Sequence, residues 1–202
     1  MTRRKFSQFV SKIFGTVMLL IATGTSALFM SGCNVFDDIL NWIPVGLTAI
    51  GGIVAVLGPL VPPGSAAIIT IIKAVFADLQ AAVIAYKNDT NPADKATLLA
   101  KIRTFLNDIV INFQSFLAAL NLGNNPIVAI VIGLASVILA AIAGFMGQLP
   151  TTAGRTTIVT TSVSVGGKVV TVAPKYYKHT SDFKKDYNAI CAQYGHTEIE
   201  LH

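Results

Sequence analysis

Few side chains in this 202-residue chain have types and spacings that could do chemistry. The three histidines, His179, His196 and His202, fall in the final quarter, and their spacing matches no zinc pattern. Cys33 and Cys191 are the only cysteines, so there is no Cys-x-x-Cys. Cys191 and His196 stand close in sequence, but across an expected helix stop. Asp37 and Asp38 are adjacent carboxylates, and neighbouring side chains on a helix point to different faces, so they read as solvated rather than as an acid–base pair. Gly51-Gly52, Gly64 and Gly166-Gly167 lack the Lys-Ser/Thr or the strand-to-helix setting that cradles a phosphate. No metal, cofactor or catalytic site is expected from these residues, and the chain reads as non-enzymatic.

The chemistry that remains is covalent attachment at Cys33. Residues 1–12 are basic, residues 13–32 carry no charge, and Ile13 to Met30 is apolar, the n-region and h-region of an export signal over residues 1–32. Met30-Ser31-Gly32-Cys33 resembles the lipobox of bacterial lipoproteins, departing from it at Met30, where that family usually has Leu. The resemblance implies that Cys33 becomes the mature N-terminus and carries a thioether-linked diacylglycerol. Its partner would then be membrane lipid, and its place the bacterial cell envelope, facing away from the cytoplasm. The other reading of the segment is an uncleaved transmembrane anchor. Thr2-Arg3-Arg4-Lys5-Phe6 is similar to the start of a twin-arginine signal, which would make Arg3 and Arg4 the export determinants. Ser7 and Gln8 depart from that pattern, and the general secretory route stays open. Cys191 reads as a buried thiol; a Cys33–Cys191 disulfide would require the lipobox to be accidental.

The chain is 53% hydrophobic and 12% charged, which pushes towards a membrane setting. The formal +5 is concentrated at Arg3, Arg4, Lys5 and Lys12; from residue 33 onward eleven Lys and Arg face ten Asp and Glu. No basic footprint for nucleic acid remains.

Gly, Pro and Asn clusters divide residues 33–150 into four long apolar segments of helical character, a helical bundle. The third is capped by Asn91-Pro92-Ala93-Asp94, and Leu99, Ile102, Leu106, Ile109, Phe113, Phe116 and Leu120 form its apolar stripe, with Gly123 as the expected stop. The second, about Ser65 to Lys87, sets Ile69, Ile72, Phe76, Leu79, Val83 and Tyr86 on one face, and the two should form an antiparallel hairpin. Lys73 and Asp78 in that segment read as its wet face or, in lipid, as a polar pathway. The first segment is interrupted by Pro44 and ended by Pro59. The fourth, Pro126 to Leu149, is uncharged and about 36 Å long as a helix, enough to cross a hydrocarbon core of about 30 Å.

Within the fourth segment Ala129, Gly133, Ser136, Ala140, Ala143 and Gly147 line one face with small residues. Thr48, Gly51, Ala55 and Gly58 make a shorter version in the first. These two faces are expected to pack against each other. Four helices are too few to enclose two of their number, so an oligomer or lipid should supply the missing cover.

Residues 151–202 read as an appendage. A β-hairpin lies within 156–173 and turns at Gly166-Gly167. A short helix follows, capped by Ser181, with Phe183, Tyr187, Ile190 and Tyr194 on one face and Gly195 as its stop. Tyr176-Tyr177 between Lys175 and Lys178 resembles an interfacial aromatic anchor, or is a loop with surface tyrosines. The expected fold is mainly α: a four-helix bundle with a C-terminal hairpin and short helix. The expected function is a structural or protein-interaction role as a self-associating envelope lipoprotein, or as a subunit bound to another envelope protein. The alternative is an integral membrane protein with helices near 44–61 and 126–149 inserted, forming a pore or serving a membrane complex.

Overall fold

The 3.6-residue periodicity of the four segments becomes four long helices in the computed structural model, which describes residues 35–120, 122, 125–150, 161–165 and 167–202. They are α1 (Val35–Leu57), α2 (Ser65–Asn88), α3 (Pro92–Ala119) and α4 (Ile127–Gln148). A two-stranded antiparallel sheet, β1 (Thr161–Val165) and β2 (Lys168–Val172), and a shorter helix, α5 (Thr180–Gln193), complete the fold.

Local chemistry explains the element ends. The Asn91 side chain accepts from the Ala93 amide at 3.0 Å and donates to Asp94 at 2.8 Å, with Pro92 in the first turn, so α3 begins where its cap predicts. It ends at Ala119, earlier than expected; Gly123 lies outside the described residues. Pro44 does not interrupt α1, which runs through it. Pro44 sits on the side away from the core, where water can take the carbonyl that its missing N–H leaves free. α5 begins at Thr180 after His179, with no side-chain cap, and Ser181 falls inside its first turn.

Large side chains fix the helix arrangement. The Phe36 and Tyr86 rings lie 4.1 Å apart and Asp37 pairs with Lys87, which sets the start of α1 beside the end of α2. Lys95 lies over the Tyr86 ring, so α2 and α3 turn back at that same end. Trp42 is the hub of the core, touching Phe76 of α2, Phe145 of α4 and Phe183 of α5 at ring separations of 5.7, 5.4 and 5.8 Å. The expected stripes of α2 and α3 face inward, with Ile72, Phe76, Leu79 and Val83 opposite Ile102, Leu106, Ile109 and Phe113 in one buried core.

The C-terminal residues are a cover, not an appendage. Residues on both sides of Pro150 belong to one compact unit. β1 buries Thr161, Val163 and Val165 against the helices, and Gln114 of α3 donates to the Thr161 hydroxyl and the Ser162 carbonyl at 3.1 and 2.8 Å. The Arg103 guanidinium donates to the Leu149 and Pro150 carbonyls, which closes the end of α4 with a cation at its negative pole. The cover that sequence reasoning assigned to lipid or a second subunit comes in large part from the chain's own C-terminal residues, from β1 onward.

Three helices, α1, α2 and α4, are long and apolar enough to span a membrane by length and composition. The fold covers them unequally. The apolar window of α4 is 67% buried and that of α1 44%, whereas that of α2 is 28% buried.

Candidate functional site

Cys33, Arg3 and Arg4, the expected acylation and export residues, lie outside the described residues. Cys33 stands two positions ahead of Val35, and the Asp37–Lys87 pair holds that end of α1 against α2.

Two of the six small residues expected to line one face of α4, Gly133 and Ala140, meet the C-terminal part of the chain. A Cβ at Gly133 would stand 2.8 Å from Ile190 of α5, so the glycine makes room for that side chain. Ala140 is buried, and its carbonyl accepts from the Lys175 amide at 2.9 Å. Ala143 is buried too. Ala129, Ser136 and Gly147 are half-buried, and space is open around Gly147. The closest approach occurs at Gly144, one position off the expected stripe, where a Cβ would fall 2.3 Å from the Lys175 carbonyl oxygen and 2.6 Å from the Tyr176 nitrogen. The chain after β2 therefore lies as a strap on α4, made possible by a missing side chain.

The matching stripe on α1 is not an interface with α4. Thr48 and Ala55 are exposed, because they lie on the side of α1 opposite its buried Ile39, Ile43, Ile50 and Ile53. Contact between the two helices runs instead through bulky groups such as Trp42 and Phe145.

Polar groups tie the strap and α5 to the bundle. Asp38, 8% exposed, accepts from the Tyr176 hydroxyl, so the adjacent carboxylates do point to different faces, yet Asp38 is buried rather than solvated. Tyr177 is buried and its hydroxyl donates to Asp186 at 2.7 Å, with Lys175 paired to the same carboxylate. Both tyrosines are thus structural, not a surface anchor. Burial pushes the Tyr177 hydroxyl well above its ordinary pKa, and the bond to Asp186 and the charges of Asp186 and Asp182 add to it. Burial raises Asp186, but the Lys175 and Tyr177 hydrogen bonds and the nearby lysine charges outweigh that and hold it below the usual carboxylate range.

On α5, Phe183, Tyr187 and Cys191 are the buried face, Ile190 lies at its flank, and Tyr194 is exposed. Gly195, at φ +72°, is the stop. The Cys191 thiol is buried, with its pKa pushed up to about 11 by burial and then by the Glu200 charge, the setting of an inert thiol. His196 contacts Glu198 at 2.8 Å and meets Cys191 through its backbone amide, which donates to the Cys191 carbonyl. Among the described residues no group of three His, Cys, Asp or Glu is placed to hold a metal ion.

These features define a mainly helical bundle closed by its own hairpin, strap and short helix. No protein-family model matches the chain, and no curated protein or solved structure matches it either.

Proposed function

We propose that this chain is a non-enzymatic lipoprotein of the bacterial cell envelope, anchored by an acylated Cys33 and acting through self-association or contact with another envelope protein. Met30-Ser31-Gly32-Cys33 supports the anchor. The structural observation that carries the reading is the enclosure of α4: the most apolar helix is wrapped by α1, β1, the strap and α5, so its lack of charge is accounted for by protein contacts. Because α1 starts at Val35, two positions after Cys33 in sequence, an acylated Cys33 would tether the bundle close to a bilayer. Asp38, Asp186 and Arg103 hold the strap and the end of α4, which gives these three charged side chains a structural role.

A second reading, insertion of the segments near 44–61 and 126–149 as part of a pore or membrane complex, draws support from the length and composition of α1 and α4. The cover on α4 counts against it, and the open side of α2, with Ile71 and Ile84 exposed, keeps membrane contact in view.

Metabolic labelling with a clickable fatty acid tests the anchor. The native chain should take up label and a Cys33→Ser variant should not. Residues 34–202 produced alone should stay in the soluble fraction. Retention of that segment in alkaline carbonate-washed membranes, with aggregation excluded by flotation, would replace the lipoprotein reading by the inserted one.

A further inference from the structure

Among the described residues the outer edge of β2 has no strand partner. β2 pairs with β1 in the register Thr161↔Val172, Val163↔Val170 and Val165↔Lys168, and the sheet has two strands among the described residues. A two-residue loop is closed by a hydrogen-bonded pair, here Val165 and Lys168, and bonded and non-bonded pairs then alternate. Lys168, Val170 and Val172 therefore turn their peptide groups towards β1, and Val169 and Thr171 turn theirs outward.

Side chains mark the same edge. Val163 is fully buried on the helix side of the sheet, yet its cross-strand partner Val170, on that same side, is 39% exposed, so β2 overhangs the helices that β1 rests on. Val169, on the other side, is 68% exposed, the highest value among the large hydrophobic side chains that the structure leaves in solvent. Open edges are commonly blunted by charge, proline or a bulge. Lys168 stands only at the turn, and Val169-Val170-Thr171 carries none of these devices.

We propose that this edge is a self-association surface, with β2 of a second copy pairing antiparallel across a two-fold axis through Val170. The proposal rests on the self-association part of the reading above. The strand is self-complementary in this one register: Val169 meets Thr171 of the second copy and Thr171 meets its Val169, so both outward-facing residues find outward-facing partners. All five strand residues overlap, and Lys168 lies opposite Val172 with no like charge facing it. The two Val170 side chains then meet as a non-hydrogen-bonded pair, and the unsheltered valines acquire β-branched neighbours.

A cysteine scan of the full chain reads the register directly. In a non-bonded pair the Cα atoms lie about 4.5 Å apart, within disulfide range, whereas residues related diagonally, such as Thr171 with its own copy, fall beyond about 7 Å. Val170→Cys should give a disulfide-linked dimer under mild oxidation in isolated membranes, Val169→Cys and Thr171→Cys should not, and the native Cys191 is buried. Thr171→Pro, which removes an outward N–H and spares those facing β1, should weaken the dimer of the detergent-solubilised chain about tenfold in sedimentation. Linking at 169 or 171 in place of 170, or a sedimenting dimer that Val170→Cys does not link, overturns the β2 contact while leaving self-association in place. A monomer throughout overturns both. Fatty-acid labelling of Cys33 in the same samples reports on the anchor independently.

Discussion

The Tyr187 hydroxyl donates to the Ala49 carbonyl at 2.9 Å, buried, and joins α5 to the middle of α1 across 138 positions of sequence. Gly52, one turn along α1, makes that bond possible: a Cβ there would stand 2.3 Å from the hydroxyl oxygen. Tyr187→Phe should cost about 0.5–1.5 kcal/mol, since Ala49 keeps its helical partner. Gly52→Ala should cost about 1–3 kcal/mol by overpacking, despite the better helix propensity of Ala. In the Tyr187→Phe background the hydroxyl is gone, and Gly52→Ala should lose most of its cost. Urea denaturation of the four chains measures this coupling, and an additive cycle would show that the hydroxyl is not what Gly52 accommodates.

Three glycines of α4 rank themselves by what faces them. Gly144 meets backbone, at the Lys175 carbonyl and the Tyr176 amide, which cannot move without lifting the strap. Gly133 meets the Cγ2 methyl of the half-buried Ile190 side chain, which yields more readily than backbone, and Gly147 meets nothing within 4 Å. Alanine should therefore be most destabilising at 144, milder at 133, and neutral or stabilising by up to about 1 kcal/mol at 147. Thermal midpoints in any other order would contradict the strap geometry.

The division between what was readable in the sequence and what was not follows the range of the interactions. The stripes of α2 and α3, the Asn91 cap and the antiparallel pairing of β1 with β2 are local patterns, and each appears where its spacing predicts. What meets the small residues of α4 was not readable. Ile190 and Lys175 reach them from far along the chain, and nothing local distinguishes a glycine that admits another helix from one that admits a strap. The Asp38–Tyr176 bond was invisible for the same reason, since a carboxylate in a first helical turn reads as solvated until its distant partner is known. The stripe on α1 misled because Thr48 and Ala55 follow the same periodicity as the isoleucines on the opposite side.

Shared packing around Trp42 makes the bundle and its C-terminal cover one cooperative unit. Phe183→Ala should cost about 3–5 kcal/mol, although Phe183 lies far beyond the four long helices in sequence. Trp42 is the chain's single tryptophan, so its fluorescence reports the hub, while far-ultraviolet circular dichroism reports all helices. The two signals should trace one transition in native and variant protein. A tail that melts first, with Trp42 undisturbed, would restore the appendage that the sequence suggests.

Titration of the cover should bend the stability curve at both ends of the pH scale. Asp186 is held below the usual carboxylate range, so its contribution is complete above about pH 4, where the unfolded carboxylate has ionised, and is lost as pH falls through its folded value. Asp186→Asn should differ most from the native protein at neutral pH, with the gap closing as the solution is acidified below about 4. At the alkaline end the signs reverse. Burial raises the Tyr187 hydroxyl, with the charge of Cys191 adding to it, and raises the Cys191 thiol to about 11. The unfolded groups ionise first, near about 8.5 for the thiol and about 10 for the phenol, so their stabilising contributions are present below those values and fade above them. Urea midpoints between about pH 8 and 11 should fall for the native chain and fall less steeply for Cys191→Ala, with Tyr187→Phe departing only from about pH 10. Equal slopes in all three proteins would mean that the thiol and phenol of α5 are not desolvated together behind α1.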